Sequence, residues 1–141
     1  MTNTEIDRIW RALRMTYGLV AFLAGLDKFF HLLTNWDRYV PAAVAGLLPV
    51  STSVLMQAVG VIEMIAGILI LTRWTRIGAY IVSVWLLLIA FDLSLAGSFF
   101  DIAVRDVALS VGAWALARLS EARSPLPARA GHETAGSPAH A

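Results

Sequence analysis

The chain contains no cysteine, which removes thiolate nucleophiles, disulfide exchange, iron–sulfur ligation and thiolate zinc sites together. Charge is also scarce, with 15% of residues charged and a formal net charge of +1. No basic patch stands apart from the flanks of the apolar segments, so nothing in the charge pattern calls for a nucleic acid partner. What fills the chain instead is apolar: 58% of its 141 residues are hydrophobic and the mean hydropathy is +0.70, against about 45–50% apolar in ordinary soluble domains. This length holds one domain. Four apolar segments of about 20 residues fill most of it, leaving no room among them for a soluble catalytic domain. The fold class these observations predict is all-α, a transmembrane four-helix bundle in a lipid bilayer.

Residues 1–14 are amphipathic, with Ile6, Ile9, Trp10 and Leu13 at helical spacing and Arg8, Arg11 and Arg14 between them. They are expected to lie in the membrane interface. The membrane domain is expected over 15–119, with spans at about 15–33, 54–71, 77–96 and 102–119. Charges within the first span argue against a cleaved signal sequence. The connection 34–53 carries Trp36, Tyr39, Pro41 and Pro49, with a short surface helix expected over Ala42–Leu48 and caps for the second span at Ser51, Thr52 and Ser53. Eight arginines (Arg8, Arg11, Arg14, Arg73, Arg76, Arg118, Arg123 and Arg129) flank one side of the spans, and the opposite loops hold only Arg38. That asymmetry predicts both termini on the cytoplasmic side, in a bacterial inner membrane. From Ser120 to Ala141 the composition is that of a disordered tail, with His132 and His140 in solvent.

Within the spans the informative residues are ionisable. Glu63 stands in the middle of the run Val54–Leu71, and a charged side chain at that depth costs about 2.5–3.5 kcal/mol on insertion scales, so it needs a partner or a task. Helical rise places Asp27, Lys28 and His31, Asp92, and Asp101, Arg105 and Asp106 in the central or outer half. Five acids (Asp27, Glu63, Asp92, Asp101 and Asp106) therefore face two fixed cations, Lys28 and Arg105. One or more of these carboxyls is expected to be protonated, to share a proton or to bind a cation, Glu63 first among them. Asp27 and His31, four apart, share a helix face, which suits a proton relay from the outer surface towards Glu63. Structural alternatives stand beside this: an Asp101–Arg105 pair at i,i+4, Lys28 snorkelling to the outer interface, and His31 at headgroup level. Ala21 with Gly25, and Ala108 with Gly112, have the small-residue spacing of close helix contacts.

These residues resemble a family. Gly25-Leu26-Asp27-Lys28-Phe29, the stretch Val61–Leu69 with Glu63 followed by Gly67, the turn Thr72-Arg73-Trp74-Thr75-Arg76 before Gly78-Ala79, and Arg105-Asp106 are similar to the DoxX-like family of small four-helix membrane proteins, over about residues 10–118. A glycine often found before the basic turn is replaced here by Leu71 or Thr72. The resemblance implies a membrane subunit associated with oxidoreductases, one member serving an archaeal thiosulfate:quinone oxidoreductase, with Lys28, Glu63 and Arg105 at the family's polar positions. With no cysteine, the chain offers no thiol for sulfur chemistry.

Three functions compete on this reading. In the first, the polar cluster receives a quinone, Glu63 and Asp27 handle protons, and Lys28, His31, Asp92, Arg105 and Asp106 bind or orient the headgroup. No flavin, haem or metal motif is present, so the redox centre would belong to a partner protein. In the second, the chain is a proton-coupled carrier, which with so few spans would work as a homo-oligomer. In the third, it is a non-catalytic assembly or stress-response factor whose charges set helix register.

Overall fold

Helix α1 (Asn3–Phe30) begins at a capping box: the Thr2 side chain accepts from the Glu5 amide, and the Glu5 carboxylate accepts from the Thr2 amide at 2.8 Å. Neither glycine nor proline interrupts the apolar repeat until Gly18, so the expected interfacial segment and first span form one continuous helix. That helix stops at Phe30, short of the predicted Leu33, because His31 takes the left-handed conformation (φ 54°) and its amide bonds back to the Asp27 carbonyl. The computed structural model describes residues 2–40, 42–47, 49–97 and 99–123. Among them every regular element is helical: α1, a 3-10 turn at Trp36–Tyr39, α2 (Ala42–Leu47), α3 (Thr52–Leu71), α4 (Thr75–Leu95) and α5 (Phe100–Arg123). Ser51 is the residue that caps α3, accepting from the Val54 amide. The tail expected from Ser120 starts later, since α5 runs on to Arg123; the remainder of that tail, with His132 and His140, lies outside the described residues.

Packing is most extensive between α1 and α3 and between α4 and α5, with α3 joining the two pairs along α4. The first pair meets backbone to backbone. A Cβ on Gly67 would stand 2.7 Å from both the Gly18 carbonyl oxygen and the Phe22 amide, and one on Gly25 would collide with the Gly60 carbonyl. Glycines seven apart on each helix thus form one seam. Of the small-residue pairs read from the sequence, Gly25 lies in that seam and Ala21 packs on the core, while Ala108 is exposed and Gly112 makes room for the Tyr17 hydroxyl, which donates to the Leu109 carbonyl. The core is built from small side chains, Ala66, Ala79, Ala113 and Ala117, around Ile70 and Leu116.

The C-terminal end of α3 would leave its last carbonyls unpaired. Arg14 prevents this by reaching across from α1, donating to Ile70 O at 3.0 Å, to Thr72 O at 2.9 Å and to Leu71 O, while the Thr75 hydroxyl donates to Ile70 O at 2.7 Å. At this same end Trp10 donates to Ser120, Arg123 pairs with Asp7, and Glu121 accepts from Tyr80 and pairs with Arg76 and Arg118. Arg14 and its partners place the start of α1 beside the end of α3, and the two helices run antiparallel.

Outside this interior the long helices are apolar on their exposed faces as well. Leu19, Val20 and Leu23 on α1, Ile62 and Ile65 on α3, Leu88 and Phe91 on α4, and Val104 and Val111 on α5 all stand exposed. Two of the helices, Thr52–Leu71 and Thr75–Leu95, are long and apolar enough to cross a membrane.

Candidate functional site

Lys28 and Glu63 meet at the far end of the α1–α3 seam. Their ammonium and carboxylate form an ion pair, and their side chains are only 5% and 13% exposed. The seam makes this reach possible, because Gly60 sits one turn from Glu63 and lets the Lys28 stem lie against the α3 backbone. Lys28 therefore turns inward, and the snorkelling alternative is overturned: the partner it finds inside outweighs the water it would reach outside.

Two indoles complete the pair. The Trp85 Nε1–H of α4 donates to Glu63 Oε1 at 3.3 Å, and the Lys28 ammonium lies 3.9 Å from the centroid of the Trp36 ring. A buried ion pair is tolerable only when its remaining lone pairs and protons find partners, and an indole supplies both a donor edge and a cation-binding face. Neither tryptophan was singled out as a site residue by the sequence. The signal that existed was the position of Trp36 nine residues after Asp27, at the start of a turn, and of Trp85 in the middle of a span.

Asp27 is held differently. Its carboxylate accepts from the Leu32 amide at 2.8 Å, from the Leu33 amide at 3.1 Å and from Trp36 Nε1–H at 2.7 Å. These bonds close the end of α1 over the loop and fix the Trp36 ring above Lys28. His31 does not join Asp27 in a relay. Its left-handed backbone turns the imidazole towards the 3-10 turn, where Nε2 lies 3.9 Å from Asp37 Oδ1.

On α5, Asp106 is buried, with its carboxylate 3.5 Å from Nε of Arg105, whose own side chain is 65% exposed. The expected Asp101–Arg105 pair is replaced by this one, and Asp101 stands exposed. Lys28 acts on Asp106 through space, so the ammonium is shared electrostatically between α3 and α5. Asp92 is half-buried on α4 without an ion pair or hydrogen bond to a described residue. Among the described residues no three His, Asp or Glu side chains are grouped to hold a metal.

A groove of about 460 Å³ opens between α4 and α5, walled by Leu87, Phe91, Phe100, Val104 and Val107 with Ser94 as its polar member. None of the ionisable residues lines it. Comparison with family models, with curated proteins and with solved structures finds no match to this chain. Chemically, the cluster offers a caged ammonium able to donate to a carbonyl oxygen, a carboxylate able to take a proton once that ammonium is diverted, and a second buried acid beside them.

Proposed function

We propose that this chain is a DoxX-like membrane protein, a four-helix bundle with α1, α3, α4 and α5 as its spans and both termini cytoplasmic. It serves as the membrane subunit of a quinone-linked oxidoreductase. The apolar faces on all four long helices support burial in lipid, since soluble proteins rarely expose apolar surface on every side. The arginines gathered where α1 starts and α5 ends support the orientation.

The observation that carries the functional reading is the Lys28–Glu63 pair enclosed by Trp36 and Trp85. Polar groups this well partnered within a membrane span mark a ligand or proton site by default. Lys28 orients a headgroup carbonyl through its ammonium, and Glu63 takes up or releases a proton beside it. Asp106 holds the local charge balance when Lys28 leaves Glu63. A quinone supplies two-electron, two-proton chemistry, and the electrons pass to or from a redox centre on a partner protein.

The test is the quinone content of the full chain extracted with native lipid in polymer nanodiscs, compared with bulk lipid. Glu63→Gln and the Lys28→Met/Glu63→Gln double variant, which leaves no unpaired charge, are prepared in parallel. Enrichment in the wild type that is lost in both variants is expected. Equal content in all preparations would remove the quinone site and leave the carrier or assembly functions.

A further inference from the structure

The outer turn contains two buried polar atoms that face each other without touching. His31 Nε2 and Asp37 Oδ1 each lack a hydrogen-bond partner, and they are 3.9 Å apart. The turn that carries Asp37 begins with Trp36, the residue that covers Lys28 and donates to Asp27. Its geometry is otherwise tied down: Asn35 Oδ1 accepts from the Asp37 amide at 3.2 Å, and the Val40 amide donates to Asp37 O at 3.3 Å.

We propose that His31 and Asp37 form a proton-operated latch that sets how firmly Trp36, a positioning residue, covers the Lys28–Glu63 pair. With the imidazole protonated, Nε2–H donates to Asp37 Oδ1, and the gap closes from 3.9 Å to the roughly 2.8 Å of a charge-assisted bond. The turn is drawn onto the end of α1 and the indole is pressed over Lys28. With the imidazole neutral, this attraction is lost and Trp36 is free to swing aside, which opens a path to the pair. Imidazole is the side chain that ordinarily changes charge between pH 5 and 8, so the latch is closed at acid pH and open at alkaline pH.

The other charged groups at this end are engaged elsewhere. Asp27 is filled by Leu32, Leu33 and Trp36, while Lys28 and Glu63 hold each other. Arg38 lies over the Tyr39 and Phe99 rings at 6.0 and 5.9 Å. Asp106 faces Arg105 on α5, and Asp92 of α4 and Asp101 of α5 make no ion pair with His31. Among the described residues Asp37 is the acid that faces this imidazole.

The latch rests on the proposed site, as a control of access to it, yet it can be tested without any quinone. The measurement is acrylamide quenching of Trp36 in nanodiscs, taken as the difference between the full chain and Trp36→Phe, from pH 5 to pH 8. Quenching is expected to rise at least threefold with pH. Asp37→Asn, and His31→Asn, whose new side chain tolerates the left-handed backbone, are expected to show high quenching at every pH. A flat wild-type profile overturns the latch, and so does a pH response unchanged in either variant. Flat quenching with quinone enrichment intact sinks the latch alone, whereas a pH-gated indole without enrichment sinks the quinone reading alone.

Discussion

Removing one member of the Lys28–Glu63 pair is expected to destabilise the protein with a pH dependence whose sign depends on which member is removed. In Lys28→Met the stem volume is kept and the buried Glu63 carboxylate loses its cation. With a side chain only 13% exposed, solvent offers it little relief, and an unpaired buried charge of this kind costs about 3–5 kcal/mol. Protonation sets a ceiling on that loss, because neutralising an ordinary glutamate costs about 3.7 kcal/mol at pH 7 and about 1 kcal/mol at pH 5. The penalty in Lys28→Met should therefore be about 3–4 kcal/mol at pH 7 and shrink towards 1 kcal/mol at pH 5. Glu63→Gln leaves the ammonium instead, and its penalty should shrink in the other direction: neutralising an ordinary lysine costs about 4.6 kcal/mol at pH 7 but about 1.9 kcal/mol at pH 9. Equilibrium unfolding by dodecyl sulfate in mixed micelles reads these values, with Lys28→Met/Glu63→Gln as the reference at each pH so that other titrating groups cancel. A Lys28→Met penalty below about 1 kcal/mol at pH 7, or one equal at pH 5 and pH 7, would refute the buried pair as the organising contact of the site.

Three further outcomes follow from the fold. Gly67→Ala drives a methyl group into the Gly18 carbonyl and the Phe22 backbone and should cost about 1–3 kcal/mol as overpacking; disulfide formation between cysteines placed across the α1–α3 seam should slow in parallel. Arg14→Gln removes charge-assisted bonds to the Ile70, Leu71 and Thr72 carbonyls and should lower stability by about 1.5–3 kcal/mol, measured by the same unfolding assay. Single cysteines introduced at Asn35 and at Arg73 should be labelled by an impermeant thiol reagent from opposite sides of sealed cells, Asn35 from outside; labelling of both from one side would break the proposed topology.

The helices were legible because their signals are local. Apolar runs of span length, the cap at Ser51 and the basic turn before α4 each belong to a few neighbouring residues, and the boundaries fell within a few positions of the observed ones. What the sequence hid was set by contacts between distant segments. That Arg14 caps α3 rather than standing as a free basic flank depends on a carbonyl cluster more than 50 residues away. The inward turn of Lys28 depends on Gly60, whose missing side chain leaves space for it. Helical spacing put Asp27 and His31 on one face, but the helix ends at Phe30, and the left-handed His31 no longer obeys the helical repeat. Trp36 and Trp85 carried no periodic signal at all, since an aromatic in or beside an apolar segment is ordinary until a buried charge is found next to it.

The long connection between α1 and α3 has a consequence for synthesis. Lys28 finds its carboxylate 35 residues further along the chain, whereas α3 and α4 are joined by a tight turn and can leave the translocon together. At about 5–20 residues per second of translation, the ammonium waits roughly 2–7 s for its counter-ion. For that interval α1 is a poor candidate for release into lipid, and the insertion machinery or the water-filled vestibule beside it has to shelter the nascent segment until Glu63 emerges. The glycine seam then lets α1 be collected by α3 in one close-fitting step, so the first hairpin of this protein is completed by its second long helix rather than by the loop that follows the first.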